Sequence, residues 1–137
     1  GRARHQVRTC PAADADALRA HLAVDTAASG HVLSAPWVAR EAVRRGPAPQ
    51  CAALLTEYST QLESPLVSSM ADHAMGLIEG DLERVEVAAR AFLDHGWVMP
   101  ALDAGFACRG DDVIDPLMQA VVGQVAVRID HGWPAAP

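Results

Sequence analysis

Asp111, Asp112 and Asp115 form a DDxxD pattern, whose residue types and spacing could do metal chemistry. On a helix, carboxylates at i, i+1 and i+4 share one face, and Mg²⁺ takes oxygen ligands. Such a face can hold the metal bridged to a diphosphate, with Arg109 as an adjacent cation. Pro116 follows at once, however, and disturbs a helix there. The chain also lacks a second metal motif and has no Lys for the diphosphate. The plainer reading is an acidic loop in which Asp115 caps a helix opening at Pro116, and no cofactor or metal is expected.

The other reactive side chains form no signature. His5, His21, His31, His73, His95 and His131 show no HxxxH or HxxE spacing. His73 falls on the apolar face of a helix, as a core or groove histidine would. His95 stands near a helix end, where it suits the dipole. No GxSxG elbow and no Cys/His nucleophile pattern occurs, so no enzymatic activity is expected. Cys10, Cys51 and Cys108 are odd in number and widely spaced. That argues against a disulfide framework or structural zinc and for a reducing cytoplasm, with Cys51 a small core residue. Trp37, Arg40, Arg44, Tyr58 and Trp97 remain. Aromatic and Arg side chains are enriched in binding hot spots, so these five are the candidates for lining a groove if helix pairs stack. Trp37, between Pro36 and Val38, equally fits a core.

The elements that must position them are helices, because apolar residues recur at i, i+3, i+4 and i+7. The first is expected from about Asp14 to Ala28, capped by Asp14 or Asp16, with Leu18, Leu22 and Ala15 as its apolar stripe. The second opens at Ser34-Ala35-Pro36, carries Arg44 and Arg45 in its last turn and stops at Gly46-Pro47. The third follows Pro49 to about Leu62, with Cys51, Leu54, Leu55, Tyr58 and Leu62 on one face. The fourth opens at Ser64-Pro65 and the fifth at Asp81. A weaker sixth spans Pro100 to Ala107, with Gly105 lowering its propensity. Beyond Pro116, Val121–Ile129 reads equally as helix or as an alternating strand. Ser34-Ala-Pro and Ser64-Pro each open a helix–turn–helix pair about 30 residues apart, the spacing of TPR-like arrays; a plain helical bundle would use the same helices.

Composition agrees with this reading. The 137 residues are 50% hydrophobic, with 27 Ala and six aromatic side chains, and the net charge is −6. One domain of this length buries about two-thirds of its unfolded surface. The apolar content excludes disorder, and no apolar run reaches the roughly 18 residues of a membrane span. All 11 basic residues are Arg, and the acidic balance argues against general nucleic-acid binding. Arg2, Arg4, His5 and Arg8 at the start read as a frayed end or the stub of an upstream helix, or alternatively as a basic arm. The first residue is Gly, which points to a processed chain or a piece of a longer one.

Residues 30–104 resemble a known family. The features are Ser64-Pro-Leu-Val, Ala71-Asp-His-Ala, Leu77, Gly80-Asp81, Val85, Ala88-Ala89, Phe92, Gly96 and Ala101-Leu-Asp-Ala104. Ala39-Arg-Glu-Ala-Val-Arg-Arg-Gly46 and Cys51-Ala-Ala-Leu-Leu precede them. Together they look like the α-helical repeat region of ATP-dependent LuxR-type transcription regulators of high-GC bacteria, including the maltose-regulator type. Val85 and Phe92 replace the small residues usual after a TPR turn, and the likeness fades from Cys108. The family's phosphate loop needs a Lys this chain lacks, and no basic recognition helix follows Cys108. The resemblance therefore implies the middle of such a regulator.

The expected organisation is an N-terminal segment at 1–13, an all-α antiparallel helix-pair array, TPR-like, at 14–107, and a C-terminal segment at 108–137. The expected function is non-catalytic: effector sensing or autoinhibition in the cytoplasm. Partners would be other domains of the regulator, another protein or a small-molecule effector, without direct nucleic-acid or membrane contact. The alternatives are a small Mg²⁺-dependent prenyl-diphosphate enzyme of terpene type, using Asp111, Asp112 and Asp115, and a free-standing helical adaptor.

Overall fold

A computed structural model describes residues 11–108 and Gln119. The residues read above as a metal motif, Asp111, Asp112 and Asp115, lie outside that range. So do the Val121–Ile129 segment and the basic start of the chain. The described fold is all-α: α1 (Pro11–Ala28), α2 (Ala35–Val43), α3 (Pro49–Leu62), α4 (Pro65–Glu79), α5 (Leu82–Asp94) and α6 (Val98–Cys108). No strand occurs among the described residues.

Each helix start has its own physical cause. Ser64 is extended, and its hydroxyl accepts from Val67 N at 3.4 Å. Asp81 accepts from Arg84 N at 3.1 Å. Ser34, read above as a cap, makes no side-chain cap bond. It is already in a right-handed turn, where Ser34 N and Ala35 N both donate to the His31 carbonyl. That turn satisfies two N–H groups, and Pro36, the first that a cap hydroxyl would reach, has none. Helix α6 starts two residues before Pro100, which sits in the first turn where a missing N–H costs nothing.

Consecutive helices pack against each other, and α1 also meets α3 while α2 meets α4. The core is mostly alanine, with Leu55, Met70, Val85 and Phe92 among its large members. Small side chains let helix axes approach, and Gly76 carries this furthest. A Cβ at Gly76 would stand 2.6 Å from Val85 Cγ2 and 3.0 Å from the Asp81 carbonyl oxygen. Gly76→Ala gains about 1 kcal/mol of helix propensity but forces α4 and α5 apart. A net loss of about 2 kcal/mol in urea unfolding is expected. Stability equal to the parent would contradict the close contact.

Helix α1 does not turn the expected face inward. Leu18 is 57% exposed and Leu22 is also exposed, whereas Asp16, Ala20 and Ala23 are buried. The tight approach of α2 and α3 admits methyl groups and one carboxylate but not leucines. The reason for the carboxylate lies at α3. Its N-cap, Ala48, has no side-chain acceptor. Asp16 supplies one from the neighbouring helix, accepting from Gln50 N at 3.1 Å and Cys51 N at 2.9 Å. The buried carboxylate thus satisfies two of the orphan N–H groups of α3, where Pro49 has none, and meets the positive end of its dipole.

Candidate functional site

The other buried charge lies where α2, α4 and α6 converge. Arg40 sits on the inward face of α2, between Ala39 and Ala42, and is 4% exposed. A cation so buried needs a partner. Asp103 on α6 provides it, accepting from Arg40 Nη2 at 2.7 Å. The same carboxylate oxygen takes Arg44 Nε at 3.2 Å, and Arg44 Nη1 reaches Glu41 at 3.5 Å. One carboxylate therefore ties two turns of α2 to α6.

His73 enters this cluster from α4 and is 2% exposed. Burial, reinforced by the Arg40 charge and only partly offset by Asp103, lowers its pKa from 6.5 to about 4. The imidazole is neutral at pH 7. Among the described residues, neither His73 Nδ1 nor Arg40 Nε has a hydrogen-bond partner. Beside this cluster is an open cavity of about 380 Å³. Arg44, Arg45, His73 and Asp103 form its polar wall; Val43, Leu77 and Phe106 contribute apolar surface. The volume is at the small end of the range for small-molecule sites.

Of the five residues read as groove candidates, the structure brings Arg40 and Arg44 together at Asp103. Trp37 is exposed elsewhere on α2, and Tyr58 is buried in the core. Trp97 bridges the α5–α6 turn. It stacks on His95 at 4.6 Å and meets Phe92 edge-on at 6.4 Å. Asp103 was not singled out by sequence reasoning, and Arg45 only as a cation suiting its helix end. A signal for Asp103 existed: it is the one acid in an otherwise apolar helix, flanked by Ala101 and Ala104, both buried.

Among the described residues no group of three His, Cys, Asp or Glu side chains could hold a metal ion. Cys51 is a buried free thiol whose Sγ donates to the Asp16 carbonyl at 3.5 Å. Burial first, then the hydrogen bond and charge of Asp16, push its pKa to about 12 against the opposing charge of Arg19. The thiolate is the nucleophile, so Cys51 is inert in the native chain. With Cys10 and Cys108 replaced by Ser, no thiol should react with an aromatic disulfide reagent at neutral pH until urea unfolds the chain. Stoichiometric labelling of the folded protein would contradict this.

No described helix is long and apolar enough to cross a membrane. Comparison with family models, curated proteins and solved structures finds no match for this chain. The LuxR-type likeness rests on the residues quoted for it above.

Proposed function

We propose that this chain is a non-catalytic regulatory segment: an effector-sensing or autoinhibitory helical region of a LuxR-type, ATP-dependent transcription regulator of the cytoplasm. Its helices would be TPR-like pairs, and its partners the regulator's other domains or a second protein, without nucleic-acid contact of its own. One observation carries this reading. Three helices meet at a single cluster, Arg40–Asp103–Arg44 with His73, in which Arg40 and His73 are buried, beside an open cavity. An occupant that changes those ion pairs changes how α6 is tied to α2. Differential contact with two arrangements is what sensing requires.

The encoding reading frame tests the regulator assignment. A GxxxxGK[ST] phosphate loop upstream and a helix-turn-helix downstream are expected. A frame with neither would overturn the assignment and leave a free-standing helical adaptor.

A further inference from the structure

We propose that the cavity between α2, α4 and α6 binds a small monocarboxylate with a compact apolar body. The role assigned to that ligand, an effector, rests on the regulatory reading above; the binding itself rests on the cavity.

The charges around the site decide the ligand's sign. Arg44, Arg45 and Asp103 line it, Arg40 stands behind Asp103, and Glu41 holds Arg44 at the rim. Among the described residues, three cations against two carboxylates leave one positive charge, in a chain whose net charge is −6. Among the described residues Arg45 makes no ion pair, so it is the unspent cation. The buried His73 is the second polar group at the wall, and its Nδ1 lacks a partner among the described residues. Its Nδ1 is closed to solvent, so donating to a carboxylate requires the imidazole to turn toward the cavity in the Nδ1–H tautomer.

Backbone electrostatics decide the ligand's charge number. The cavity lies at the C-terminal ends of α2 and α6, where carbonyls rather than N–H groups point outward. Those of α2 are partly occupied: Arg40 O, Ala42 O and Val43 O accept from the N–H groups of Arg44, Arg45 and Gly46. Those helix ends oppose any anion, a phosphate dianion about twice as strongly as a monoanion, so they select against the higher charge. A monoanion matches the single spare cation. Val43, Leu77 and the exposed Phe106 give the apolar body its surface, and about 380 Å³ suits a phenyl or branched aliphatic group.

Isothermal titration calorimetry with isovalerate, phenylacetate and 3-phenylpropionate tests this, with their neutral amides and inorganic phosphate as controls. At least one carboxylate should bind with a Kd below about 10 mM, and its amide at least about tenfold more weakly. Arg45→Ala should weaken binding by about tenfold while leaving the unfolding midpoint of the free chain in place, since Arg45 is exposed and unpaired among the described residues. Equal binding of acid and amide, tighter binding of phosphate, an unchanged affinity in Arg45→Ala, or no binding by any of the three acids would each overturn the proposal. The reading-frame result is independent of all of them, so failure of the regulator assignment and failure of the site are distinguishable.

Discussion

Asp103→Leu should lower the unfolding free energy by about 3 kcal/mol, near the lower end of what breaking a buried ion pair costs. The loss arises less from the missing attraction than from what is left behind. Arg40 is 4% exposed and its Nε already has no partner among the described residues. Without Asp103, whose side chain is 21% exposed, the guanidinium has no counter-charge at hydrogen-bonding distance among the described residues. Partial solvent access to Asp103 holds the figure at the low end of the range. Removing both charges tests the mechanism. Arg40→Met with Asp103→Leu should recover most of the loss, because a buried pair is roughly neutral against an apolar replacement of similar volume. Urea unfolding of the parent, both single variants and the double variant closes the cycle. A double variant no more stable than Asp103→Leu would show that packing, not charge, sets the cost.

The second large effect is acid sensitivity. His73 titrates near 4 in the folded chain and near its ordinary 6.5 when unfolded. Between those values the unfolded state binds the proton and the folded state does not. Stability from this residue is therefore complete above pH about 6.5 and falls as the pH drops towards 4, by about 3 kcal/mol in all. The groups facing His73 are Arg40, Arg44 and Arg45 from α2 and Asp103 from α6. Carboxylates elsewhere add their own slope at the acid end, and a His73→Leu variant separates the two. Its unfolding free energy should be flatter than the parent's between pH about 6.5 and about 5. Parallel pH profiles would mean that His73 takes up its proton in the folded state as readily as in the unfolded one.

The helices themselves were legible in the chain, because their signals are local. Ser64-Pro65 and Gly80-Asp81 mark starts that the backbone uses directly. Of the stripe Cys51, Leu54, Leu55, Tyr58 and Leu62, three residues (Cys51, Leu55 and Tyr58) are buried, while Leu54 and Leu62 are partly buried at its edge. The inward face of α1 was not legible. Hydrophobicity ranks Leu18 and Leu22 above Asp16, and only the proximity of the uncapped start of α3 reverses that order. The candidate site was half legible for the same reason. Arg40 and Arg44 stand four residues apart on one helix, a relation visible in sequence. Asp103 comes to them across 63 residues, and nothing local announces the pairing.

The Asp16 carboxylate also limits where the chain can be divided. It lies 34 and 35 residues ahead of the N–H groups it satisfies. Helix α3 thus owes its first turn to a residue two helices back, and α1 is no dispensable leader. A fragment beginning after Gly30 would keep the whole of α3 yet expose Gln50 N and Cys51 N without their acceptor. The seam between α1 and the rest is therefore a poor place to insert a tag or a protease site, although the turn at Ser29-Gly30 is exposed.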